Sequence, residues 1–170
     1  MVKRLGERNL NTKFGTFREV LYYDGKKEAI AIVMGNVADG VDVLCRVHSH
    51  CIGAHVFASI ECDCREQMEA AQGIIQQAGR GVIIWLDQEG KGNGHLALLQ
   101  SIPYKAEFGQ ASAYEKAGFQ ADARDYRPAV EILRDLGVKS IVLLANDTGK
   151  AEELRRIGFS VAQVQKLDLA

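Results

Sequence analysis

The chain has 170 residues, of which 47% are hydrophobic and 25% charged, with a formal net charge of −1. That length suits one domain burying roughly 70% of its unfolded surface, and the balanced charge excludes a chain built as a whole to bind nucleic acid or a membrane surface. The N-terminal MVKRLGERNLNTKFG lacks the apolar run of a signal peptide. No later stretch is long and apolar enough to span a bilayer, so a cytoplasmic protein is expected.

No repeat or Pro/Ser-rich linker divides the chain, so residues 1–170 read as a single domain. TFREVLYY and KEAIAIVMG read as strands, with DGK as the turn between them. VDVLCRVHS alternates, with Val41, Val43, Cys45 and Val47 on an apolar face and Asp42, Leu44, Arg46 and His48 on the other. HVFASIE is a further strand candidate. The texture changes at Arg65, where REQMEAAQGIIQQAG puts Met68, Ala71, Ile75 and Ala78 on one helical stripe, with Gly79 at its end. GVIIWLD is a short buried strand and QEGKGNG a glycine-rich loop. HLALLQSI reads as helical until Pro103, and SAYEKAGF as a short separate helix. PAVEILRDLG is a stronger helix, with Pro128 in its first turn. SIVLLAN, GKAEELRRIG and SVAQVQKL follow as strand, helix and strand. The expected fold is α/β (α+β mixed): an antiparallel or mixed sheet in the N-terminal half, then strand–helix alternation.

The segment from His48 to Gln67 holds three of the four cysteines, spaced C-x10-C-x-C, and three of the four histidines. In a cytoplasmic protein such a cluster points to metal ligation or reactive thiols rather than disulfides. Zinc prefers thiolate and imidazole ligands in a tetrahedron. Cys62 and Cys64 can both face a metal from one turn, with Cys51 approaching from the preceding strand end. Three ligands from one short segment leave a position open for water, as in a catalytic site. A closed structural zinc would need a fourth ligand from His48, His50, His55 or Cys45. Cys45 is the weakest of these, because its alternation places it in the core. Unligated buried thiols are the remaining reading, and C-x-C is not the usual redox pair.

RVHSHC, CDC followed by Gln67, QEGKGNG, GFQADARDY and ILRDLGV with IVLLAND occur in this order. The chain thereby resembles GTP cyclohydrolase II, the first enzyme of riboflavin synthesis, over roughly residues 7–167. The resemblance implies a zinc ion held by Cys51, Cys62 and Cys64, and zinc-activated water attacking C8 of guanine. Formate and pyrophosphate leave, and a diaminopyrimidinone ribosyl phosphate remains. It implies Asp122 as proton acceptor and Arg124 as the group acting on phosphorus. It places Arg46, His48, Gln67, Glu89, Gly90, Lys91, Gln110 and Lys150 in the substrate-binding set, and it implies a homodimer. Magnesium is implied only if the substrate is a triphosphate. Without the resemblance, DARD reads as a solvated, ion-paired loop, and Lys91 and Lys150 as exposed surface charges.

The departures from the family pattern fall on the substrate side. His50 stands where the family has Glu, Arg65 where it has Gly or a similar residue, and Lys91 where it has Arg, which loses a bidentate phosphate fork. Gln110 and Ala145 replace two threonines, and ANDT replaces Thr-Asn-Asn-Pro. The family's tyrosine in the helix after the glycine loop falls at Ser101 or Ile102. A paralogue acting on another purine-like or pyrimidine nucleotide, or a related heterocycle, is therefore a second expectation, and a non-catalytic zinc-stapled domain a third.

Overall fold

The structure, a computed structural model, describes residues 1–169. Seven strands form one sheet: β1 (Lys3–Thr12), β2 (Gly15–Tyr23), β3 (Glu28–Met34), β4 (Val43–Ser49), β5 (Gly81–Leu86), β6 (Ser140–Leu144) and β7 (Ser160–Gln165). Five helices accompany them: α1 (Ile52–His55), α2 (Cys64–Ala78), α3 (His95–Lys116), α4 (Arg127–Asp135) and α5 (Gly149–Arg156). The strand order is β1-β2-β3-β5-β4-β6-β7. β1, β2, β3 and β5 pair antiparallel, whereas β5, β4, β6 and β7 run parallel. The mixed α/β expectation therefore holds.

Both faces of the sheet are covered. Val43, Cys45 and Val47 join Val82, Ile84 and Leu86 of β5 in the larger core, against Ala129, Val130, Ile132 and Leu133 of α4 and Ala151 and Leu154 of α5. On the opposite face Ala71 and Ile75 of α2 pack on Phe17, Ile83 and Leu144. The alternation in β4 is thus correct, but its polar face is also buried: Arg46 is 5% and His48 2% exposed. Val41 precedes the strand and is 61% exposed, so it leaves the apolar face assigned to it.

One strand carries no sequence signal, and two expectations fail locally. β1 carries no apolar alternation and is mostly exposed; it is held by pairing along β2, with a register shift between Arg4 and Gly6. HVFASIE is not a strand. Its first residue ends α1, and Val56, Phe57 and Ile60 are exposed. This segment leaves the end of β4, whose two edges are already paired with β5 and β6. Pro103 does not end its helix either. α3 runs through it and breaks instead at Gly109 (φ 74°, ψ 168°). The carbonyl left without an N–H partner by Pro103 belongs to Leu99, a residue 52% exposed, where water can serve it. SAYEKAGF is the limb beyond that break. No helix is long and apolar enough to cross a membrane among the described residues.

Candidate active site

Parallel strands gather loops at their carboxyl ends, and open α/β sheets bind ligands there. β4 ends at Ser49 and is followed by Cys51; β5 ends at Leu86 and is followed by Glu89–Lys91; β6 ends at Leu144 and Lys150 follows. One edge of the sheet thus collects three chemistry-bearing loops.

Cys51 sits in extended conformation just before α1, and Cys64 opens α2. The ligand atoms of Cys51, Cys62 and Cys64 lie within 4.8 Å of one another, and the Sγ atoms of Cys51 and Cys62 are 3.6 Å apart. Tetrahedral zinc–thiolate geometry requires sulfurs about 3.8 Å apart, so the cluster fits a metal ion. Among the described residues no histidine, carboxylate or fourth cysteine joins the group. Cys45 is fully buried in the core, and burial pushes its thiol up to about 12. Burial and the neighbouring thiols also raise Cys51 and Cys64. Crowded thiols resist ionising without a cation, and a divalent metal reverses that.

Arg46 leaves β4 toward α2. Its Nη2 donates to Gln67 Oε1 at 2.5 Å, and its Nη1 to the Leu144 carbonyl at 3.0 Å. His48 Nδ1 lies 3.3 Å from the same Nη2, and His48 Nε2 lies 2.9 Å from His55 Nε2. Burial, then the charge of Arg46, pushes His48 down to about 2, so the ring is neutral.

Lys150 is buried beneath this group and donates to the Val47 carbonyl at 2.7 Å. Burial, then Arg46 and Arg124, pushes it down to about 7. The unfolded chain binds a proton here up to about 10.5, so it holds more protons than the fold between those two values. Stability therefore rises with pH across that window, and the cost of the buried charge is complete below it. Lys150→Met removes that cost. Its melting temperature is expected to exceed that of ligand-free wild type at pH 6, with the gap narrowing toward pH 10 in thermal melts.

The glycine loop is fastened to the DARD loop. The Ala123 N–H donates to the Lys91 carbonyl at 2.8 Å, and Gln88 exchanges two hydrogen bonds with the Asp125 backbone. Gly92 (φ 81°) presses on this contact: a Cβ there would lie 2.5 Å from the Ala123 carbonyl oxygen. Gly92→Ala is expected to cost about 1–3 kcal/mol of stability, read in chemical denaturation, and to loosen the DARD loop.

Within that loop Arg124 forks onto Asp122, Nε to Oδ1 at 2.9 Å and Nη2 to Oδ2 at 2.5 Å. Burial raises the Asp122 carboxyl, but the Arg124 bonds outweigh it and hold the group below its usual range. Burial likewise opposes the Arg124 charge, and Asp122 outweighs that, so the guanidinium stays cationic. The Tyr126 ring faces both Arg124 and Lys150, at 5.7 and 5.9 Å from its centroid.

Glu89 is buried between loops. Its Oε1 accepts the Ile52 N–H at 3.2 Å and lies 3.2 Å from His95 Nδ1. His50 sits 3.4 Å from Asp87 Oδ1. Gly90 is buried in the same loop, and Lys91 is half-buried. Gln110 is exposed one residue past the α3 break and hydrogen-bonds to none of these groups among the described residues. Ala145 is buried. Sequence reasoning passed over Asp63 and Tyr126, and weighed His55 only as a fourth zinc ligand. His55 was hidden in a segment that reads as strand, whereas Tyr126 adjoins the DARD motif and was open to notice.

The fold and the site define a mixed α/β protein with a three-cysteine cluster able to hold a metal ion, and with Arg46 and Lys150 buried, at the carboxyl ends of parallel strands. The family described as GTP cyclohydrolase II matches residues 3–166. The chain belongs to the GTP cyclohydrolase II family. It is 41% identical over 172 aligned positions to the riboflavin biosynthesis protein RibBA of Bacillus cereus, covering 99% of this chain and 43% of that protein. RibBA of Bacillus mycoides is 40% identical over 166 positions, covering 96% and 42%. The chain thus spans less than half the length of the curated relatives it matches. A solved structure shares the fold at a TM-score of 0.56 and 20% identity, covering 96% of this chain and 40% of its own. It is RibBX, a two-domain 3,4-dihydroxy-2-butanone 4-phosphate synthase from A. baumannii.

Proposed function

We propose that this chain is a zinc-dependent hydrolase that opens the imidazole ring of GTP, releasing formate and pyrophosphate, in riboflavin biosynthesis. The carrying observation is the convergence of Cys51, Cys62 and Cys64 without a fourth protein ligand among the described residues. Cys51, Cys62 and Cys64 would hold a zinc ion as thiolates, and the ion would supply Lewis acidity for activating water at neutral pH. Asp122 is ionised and so in the form that accepts a proton. Arg124 stays cationic, which suits it to stabilising charge on the α-phosphate better than to attacking phosphorus. Arg46 adds positive charge beside it, Lys150 does so in its protonated form, and Gln67, Glu89, Gly90 and Lys91 belong to the loops that enclose the substrate. His48 and Gln110 complete the proposed set, His48 from within the sheet and Gln110 from α3. Magnesium accompanies the substrate if it is a triphosphate.

The proposed setting is a single-domain cytoplasmic chain acting as a homodimer. Leu96, Leu99 and Ile102, exposed at three-residue spacing on α3, offer an apolar face for a second copy.

The test is an incubation of zinc-loaded protein with GTP, resolving products by mass. Formate, pyrophosphate and the diaminopyrimidinone ribosyl phosphate are expected together. Untouched GTP, with zinc confirmed, would overturn the reading. One observation favours a second: the buried Ala145 and the exposed Gln110 supply no hydroxyl where the resemblance expects threonines. Each lost hydrogen bond costs about 0.5–1.5 kcal/mol, which weakens GTP binding without abolishing it. A related nucleotide or heterocycle with fewer phosphates is then the substrate, and a panel of purine and pyrimidine nucleotides separates the two.

A further inference from the structure

Side-chain hydrogen bonds run from the Cys62–Cys64 turn to His55, whose backbone is bonded to Cys51. Asp63 lies between Cys62 and Cys64, and its Oδ1 accepts from Gln67 Nε2 at 2.7 Å. Gln67 Oε1 accepts from Arg46 Nη2 at 2.5 Å, and that nitrogen also approaches His48 Nδ1 at 3.3 Å. His48 Nε2 meets His55 Nε2 at 2.9 Å. His55 closes the short helix that starts behind Cys51, and its backbone N–H donates to the Cys51 carbonyl at 3.1 Å. Arg65 Nη2 holds the His55 carbonyl at 3.2 Å.

Donor chemistry fixes every proton in this chain. A guanidinium only donates, so His48 Nδ1 is an acceptor and its proton sits on Nε2. That N–H donates to His55, whose Nε2 must then be bare and whose proton is on Nδ1. Asp63 Oδ1 accepts from the Gln67 amide nitrogen, which turns the amide oxygen toward Arg46. Both ring nitrogens of His48 are thereby used within the chain.

We propose that His55 is a positioning residue of the metal centre: with His48 it closes the hydrogen-bonded chain between the Cys62–Cys64 turn and the Cys51 turn, and so sets the spacing of the three sulfurs. This rests on the reading of the three cysteines as metal ligands. The part His55 plays is to accept, so a side chain offering an acceptor at the same reach preserves the arrangement, and one offering none leaves His48 Nε2–H buried and unpaired.

The test compares wild type, His55→Phe and His55→Gln by zinc affinity, in competition with a chromophoric chelator, and by the absorption spectrum of the cobalt-loaded proteins. Losing a hydrogen-bond partner that orients a metal site typically weakens metal binding about 10–100-fold. His55→Phe is expected to show that loss and an altered cobalt spectrum. His55→Gln, whose Oε1 can accept from His48, is expected to keep most of the affinity and the wild-type spectrum. Unchanged affinity in His55→Phe, or equal loss in both variants, overturns the proposal. A lower melting temperature of metal-free His55→Phe with unchanged affinity does so too, because it assigns a packing role only. If His55→Phe does not fold, Asp63→Ala cuts the same chain at its other end and must show the same loss. A wild type that binds no zinc overturns both this proposal and the metal reading, and is told apart because Cys62→Ser then behaves as wild type does.

Discussion

Cys62→Ser removes zinc and, with it, turnover. A hydrogen-bond partner behind a metal ligand is worth about 10–100-fold in affinity, so loss of a ligand itself should exceed about 100-fold. Cys62 is the exposed member of the three. The substitution therefore leaves the core untouched, and the metal-free variant should melt close to metal-free wild type. Zinc content after dialysis and formate release from GTP are the two readings. An active, zinc-free Cys62→Ser protein would sink the catalytic role of the metal.

Arg124→Ala separates the two halves of the proposed reaction. Removing one preorganised electrostatic donor typically costs about 10²–10³ in rate, and that loss should fall on pyrophosphate release, with ring opening spared. The same substitution strips Asp122 of its forked partner while leaving it partly buried. Its carboxyl must then rise from its depressed position, because burial is opposed only by the residue-124 backbone N–H and the charge of Lys91 once the guanidinium is gone. The acid limb of the pH–rate profile for ring opening therefore moves to higher pH. Product analysis in single turnover checks the first effect and a pH series the second. Equal loss of both products would deny Arg124 a separate phosphate role.

Much of this architecture was legible from residue patterns because local and global preferences agree. β2, β3 and β5 announce themselves by apolar runs, α2 and α4 by their stripes, and the parallel half by its alternation. β1 was not legible, since an exposed edge strand buries little and its KRLGERNLNT sequence has no apolar period; it exists through pairing with β2. HVFASIE carries strand-forming residues but emerges where no sheet edge is free, so topology overrides propensity. The three cysteines were readable from spacing. The surroundings of Lys150 were not: α5 reads as a charged, solvated helix, and only its start against the end of β4 buries that ammonium. Likewise Arg46 and His48 share the face read as polar, yet α2 covers it, which turns two solvent-seeking side chains into a hydrogen-bonded interior network.

The most direct measurement is zinc K-edge absorption fine structure on the zinc-loaded protein. The account predicts three sulfur scatterers at about 2.3 Å and one lighter atom at the remaining position, the lighter atom still present in Cys45→Ala. Four sulfurs, or a fourth ligand identified as imidazole, would make the site a closed structural clasp and contradict the account.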